Sequence, residues 1–237
     1  MKKSWALAAA MIVASLVFLS ACQAGQSPSG SATTSSSLAV ASTSTQPSAT
    51  TVSSSTTSSS TTATTTKAII PGVPSVRYED KKLGFSLYRP QNSIVEAQGF
   101  EAFLPLTQVP VVAIVLSKEL FSGTNLIEAG VYIGASSAPA VTSGWNQPSP
   151  GSGETAAGTI DFNGTSFAVF TSTGAAAGNI YEERIYRTLR GGTCFEIVGL
   201  LHSGNIGNYG SGIVEFNKAR FQGYLEAVVQ TFSFVSG

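Results

Sequence analysis

Residues 181–202 read YEERIYRTLRGGTCFEIVGLLH, and this stretch decides the fold. Two strand-like runs flank Gly191 and Gly192. A two-glycine loop supplies the positive φ angles of a primed hairpin turn. The register follows by counting outward from that turn. Arg190 faces Thr193, Leu189 faces Cys194, Thr188 faces Phe195 and Arg187 faces Glu196. Tyr186 faces Ile197, Ile185 faces Val198, Glu183 faces Leu200 and Tyr181 faces His202. Alternation puts Leu189, Cys194, Ile185, Val198 and Leu200 on one face. Arg187 and Glu196 stand in the middle of that same apolar face.

Strand signals continue on the N-terminal side. Residues 158–162 and 165–171 flank Asn163 and Gly164, a second two-residue turn. Residues 110–116 (PVVAIVL) form a continuous apolar run, as expected of a central strand covered on both faces. Residues 126–134 read as a further strand, and 77–80 with 85–89 as a first hairpin. Residues 136–157, rich in Ser, Pro, Gly and Ala, read as a long loop, and GAAAG at 174–178 as a link. Near the C-terminus Phe221, Tyr224, Leu225, Val228, Val229 and Phe232 recur at helical steps behind Asn217, a residue suited to an N-cap. Residues 75–237 are thus expected to be one α+β domain: a mainly antiparallel β-sheet with flanking helices.

The first 74 residues are different. Lys2 and Lys3 precede an apolar run over 5–19. Fifteen helical residues span about 22 Å, short of a roughly 30 Å hydrocarbon core. Residues 1–21 therefore read as an export signal. Leu19, Ser20, Ala21 and Cys22 resemble the lipobox of bacterial lipoproteins. That resemblance implies lipidation of Cys22 and cleavage before it. Residues 22–74 read as a linker. Within it, 28 of the 43 residues in 24–66 are Ser or Thr, with no charge and no aromatic ring. Such a segment cannot bury enough apolar surface to offset its ordering entropy, so it is expected to be a disordered tether. Its mean reach is about 35–40 Å. Spacer and glycosylated stalk both fit this composition.

A family resemblance spans the two ends of the domain. Tyr78, a polar turn, Gly84-Phe85-Ser86-Leu87-Tyr88 and Pro90 open it. A helix running into Thr231-Phe232-Ser233-Phe234 closes it. Together these resemble the PsbP-type α/β/α sandwich superfamily. The resemblance implies a central antiparallel sheet flanked by helices, acting as a binding or accessory module without shared catalytic residues.

Charge excludes one function class. From residue 68 onward there are 10 basic and 13 acidic residues, a net of −3, so no basic patch serves a nucleic-acid backbone. His202 is the only histidine, and Cys194 the only cysteine beyond Cys22. Cys194 and His202 share one strand about 27 Å apart, so a Cys–His nucleophile pair fails unless the strand ends early and folds back. No phosphate-binding or nucleophile-elbow motif occurs, and no cofactor or metal is expected. Arg187 with Glu196 reads either as a structural ion pair on a partly exposed sheet face or as a polar anchor in an apolar cleft. Tyr181 with His202 reads as a stacked cross-strand pair or a ligand contact. Trp145 reads as a buried anchor or an exposed recognition aromatic. Asn163-Gly164-Thr165 matches a glycosylation sequon, yet the hairpin turn accounts for it.

The expected function is a non-catalytic binding or accessory module, lipid-anchored to a membrane in the bacterial cell envelope and exposed outside the cytoplasm. Its partner would be an envelope protein or a small ligand. Two alternatives remain: a structural envelope lipoprotein, or an envelope hydrolase using His202 with Asp161 or a Glu.

Overall fold

The computed structural model describes residues 66–235. The signal, Cys22 and all but the last part of the tether lie outside the described residues. The folded chain starts before the boundary expected at 75. Strand β1 (Thr66–Ile70) turns back through Pro71 and Gly72 into β2 (Val73–Asp80). Then come β3 (Phe85–Pro90), β4 (Ile94–Glu96), β5 (Pro110–Val115) and β6 (Leu126–Ser136). The short helix α1 (Pro139–Ser143) precedes β7 (Thr155–Phe162), β8 (Thr165–Ala176), β9 (Asn179–Arg190) and β10 (Thr193–Gly204). Helix α2 (Lys218–Val229) and β11 (Ser233–Phe234) close the chain.

The strands form two sheets, β1-β2-β3-β11 and β4-β5-β6-β10-β9-β8-β7, in which every ladder is antiparallel. The β9–β10 ladder has the register counted from the Gly191-Gly192 turn, including Arg187↔Glu196 and Tyr181↔His202. Both turn glycines have positive φ, +56° and +75°, which a Cβ would penalise. The order makes β10, not β5, the central strand of the larger sheet. The apolar run in β5 is covered on both faces, but β4 shields its outer edge. Residues 174–176 are not a link; they extend β8, and residues 177–178 turn directly into β9.

Helix α2 starts where Asn217 accepts the Arg220 amide at 2.9 Å. Phe221, Leu225, Val228 and Val229 point down from it onto Phe195, Ile197 and Leu201 of the larger sheet. The smaller sheet packs on that same face. Phe85 and Phe232 stack 5.1 Å apart, and Phe195 sets its ring edge-on against Phe234 at 4.9 Å.

The opposite face carries a second core of Ala113, Tyr132, Phe170, Ile185, Val198 and Leu200. Flanking helices were expected there too, yet among the described residues only α2 exceeds five residues. Phe100, Phe103, Leu104 and Trp145, on loops and a single 3-10 turn (Glu101–Phe103), cover this second face. Residues 97–109 hold Gly and Pro, and residues 137–154 hold Gly, Pro and Ser, so neither sustains more than a short helical stretch. They lie over the sheet as straps, and polar anchors on the strands below hold them.

Candidate functional site

Arg187 is the anchor. Its guanidinium meets Glu154 through two parallel bonds, Nη1 to Oε2 at 2.9 Å and Nη2 to Oε1 at 2.5 Å. Its Nε donates to Glu196 Oε1 at 2.9 Å, and Nη1 also donates to the Gln147 carbonyl at 3.0 Å. The Phe170 ring lies 4.7 Å beneath. All three charged side chains are 0% exposed. The other oxygen of Glu196 takes the Thr107 amide at 2.8 Å and the Thr107 hydroxyl at 2.9 Å. Ser149 closes the circuit: its amide donates to Glu154 at 2.8 Å and its hydroxyl to the Pro105 carbonyl at 2.9 Å.

These contacts correct the sequence reading of Arg187 and Glu196. The pair is not on a partly exposed sheet face, and it is not an anchor open to a ligand. Every guanidinium nitrogen is bonded within the protein, and the cluster pins both straps to β9 and β10. Gly134 makes the close approach possible. A Cβ there would lie 2.2 Å from Thr107 Oγ1 and 2.8 Å from Leu104 Cδ1. Sequence reasoning missed Glu154. A signal existed: it is the only charged residue between Glu128 and Asp161. A lone charge in so long an apolar stretch needs a partner.

Toward the far end of the same face, Tyr181 and His202 stack with centroids 4.4 Å apart and planes 16° from parallel. His202 Nε2 lies 2.9 Å from Asn179 Oδ1. Glu128 stands opposite His202 on β6, and the Tyr132 hydroxyl donates to Glu128. Burial holds the His202 pKa below its ordinary value, against a smaller upward pull from Glu128. Asp161 does not join this group. It sits three strands away on β7, opposite Ser166, while Gly174 is the β8 residue in line with Tyr181. Eight residues along β8 separate the two rows, so the His202–Asp161 pair is out of reach at roughly 30 Å. Cys194 is buried on β10, and burial pushes its thiol up to about 12. The continuous strand keeps it apart from His202.

Trp145 is half-buried. It packs against the second core and also forms one wall of an open groove of about 380 Å³. Leu189, placed by alternation on the apolar face with Cys194 and Ile185, is 40% exposed here, because it lies beyond the edge of the strap. The groove opens between the β7–β8 turn and the β9–β10 turn, with Arg190 and Phe234 on its other side. Arg190 sits 4.3 Å over the Phe234 ring.

No family model and no curated protein matches the chain. Among the solved structures similar to it are two at 11% identity. One is a crystal structure from Bacteroides thetaiotaomicron, covering 68% of this chain and 48% of that one, with a TM-score of 0.40. This chain thus spans about half of that protein's length. The other is the solution structure of cyanobacterial PsbP (CyanoP) from Synechocystis, covering 71% of this chain and 97% of that one, with a TM-score of 0.41.

Proposed function

We propose that this chain is a lipid-anchored extracytoplasmic protein of a bacterial envelope. Its C-terminal domain is a non-catalytic binding or accessory module of PsbP-like fold, a mainly antiparallel sheet with α2 on one face and straps on the other. The lipobox at Cys22 and the uncharged tether support the location. The two ends of the family pattern support the fold: Phe85 and Ser86 pair in register with Phe234 and Ser233.

One observation carries the functional reading. The strongest charged groups of the sheet face, Arg187, Glu154 and Glu196, spend all their bonds holding straps down. The same straps present Trp145 beside Leu189 at an open groove. That is the division of labour of a binding surface: buried polar groups fix loops, and the loops expose apolar side chains. The net charge of −3 from residue 68 onward leaves nucleic acid outside the partner class.

The test has two arms. Cys22→Ser should move the protein from the membrane fraction to the soluble fraction; full membrane partition of the variant overturns the anchor. A photo-cross-linker at Leu189 of the full chain, activated in intact cells, should give a discrete adduct. Absence of an adduct both there and at a second position on α2 overturns the binding module, while an adduct on α2 alone moves its surface away from the groove.

A further inference from the structure

We propose that the groove beside Leu189 receives an extended peptide segment, and that Arg190 binds a carboxylate carried by it. The inference rests on the binding-module reading and names its ligand class.

The sheet forks at this corner. The β8–β9 ladder ends at Ala168↔Arg187. The two outer ladders run on, β7–β8 to Phe162↔Thr165 and β9–β10 to Arg190↔Thr193. Residues 165–167 and 188–190 therefore line a gap in which each strand is paired on its outer side only. Strand edges of this kind accept an added extended chain, whose main-chain N–H and C=O groups continue the ladder. The about 380 Å³ of open space lies in this gap.

The walls specify the ligand further. Trp145 and Leu189 offer an apolar surface for a ligand side chain. Arg190 supplies the charge. Each of the other described arginines, Arg77, Arg89, Arg184, Arg187 and Arg220, has its guanidinium hydrogen-bonded to a protein acceptor. Arg190 has none among the described residues, and only the Phe234 ring holds it in place. A planar cation with its donors unused matches a carboxylate through two parallel bonds. Recognition of sugar hydroxyls would draw on carboxylate and amide side chains, and no Asp, Glu, Asn or Gln lines the groove. A peptide is therefore favoured over an acidic glycan.

The full-length protein in lipid nanodiscs is applied to an array of synthetic decapeptides of varied composition. Each is printed with a free C-terminal carboxylate, as the C-terminal amide, and as the amide with one internal Glu. A second array carries acidic oligosaccharides. A subset of carboxylate-bearing peptides should be retained, and Arg190→Gln should weaken that binding about tenfold or more while the unfolding midpoint stays unchanged. Loss on amidation assigns a chain terminus; rescue by the internal Glu assigns an acidic side chain. Retention equal for wild type and Arg190→Gln, or confined to the oligosaccharides, overturns the inference. A cellular adduct at Leu189 that survives Arg190→Gln overturns it while leaving the binding module intact. No adduct at all removes both.

Discussion

Arg187 and Glu154 stand 33 residues apart in the chain and meet through two parallel hydrogen bonds, with neither side chain touching water. The strand residue is fixed by its ladder, so the bond acts on the strap. Removing the arginine leaves Glu154 and Glu196 buried as two like charges with no cation. Arg187→Met should cost about 3–5 kcal/mol of unfolding free energy. Glu154→Gln leaves the Arg187–Glu196 pair in place and should cost less, about 1–3 kcal/mol. Urea unfolding of the full chain measures both. An Arg187→Met loss below about 1 kcal/mol would mean that the straps stay down without the cluster.

Gly134 tests the same clasp from the other side. An added methyl group at this position meets the Thr107 hydroxyl and Leu104 before any solvent. Gly134→Ala should cost about 1–3 kcal/mol through overpacking. It should also speed hydrogen exchange at the Leu106 and Thr107 amides, which bond to Glu196. Unchanged exchange at those two amides would show that the strap tolerates the methyl group.

Much of this clasp was legible in the sequence, but only its local half. The Arg187↔Glu196 pairing follows from the turn, because counting along two strands needs no knowledge of distant chain. Glu154 and Thr107 belong to segments without periodicity, and nothing local says where an irregular segment comes to lie. The same reason explains Leu189. Alternation gives its face correctly, while exposure depends on how far a strap extends. The small sheet is similar: Phe85 reads as a strand residue and Phe234 only as the residue a helix runs into, and their pairing joins positions 149 residues apart.

The sequon at Asn163 offers a third test. Its φ is +49°, the turn conformation that asparagine tolerates. The amide nitrogen that a glycan would occupy donates to the Gln230 carbonyl at 2.9 Å and the Phe232 carbonyl at 2.8 Å. The side chain thus ties the turn to the end of α2. Asn163→Asp keeps the size, removes both donors and sets a carboxylate against two carbonyl oxygens. It should destabilise by about 1–3 kcal/mol, while Asn163→Gly, which keeps the turn, should cost less. A stable Asn163→Asp variant would sink the tie.

Glu183 and His202 lie on one sheet face and should respond to pH with opposite signs. Burial lowers the His202 pKa, with Glu128 opposing. The folded state then binds fewer protons than the unfolded chain. Its contribution is present above the ordinary value of 6.5 and is lost as pH falls through the folded value. Burial raises the Glu183 carboxyl, the Ser172 hydrogen bond offsets part of this, and the charges of Glu154 and Glu196 add to the rise. Its contribution is present below the ordinary value of 4.5 and is lost as pH rises through the folded value. Melting temperatures of the wild type, Glu183→Gln and His202→Gln across pH 4–8 separate the two. Relative to wild type, Glu183→Gln should gain stability as pH rises from 4.5. His202→Gln should lose less on acidification below 6.5. The two difference curves slope the same way along the pH axis only if one of these burial effects is absent. Parallel curves for all three proteins would remove both groups from the pH response of the domain.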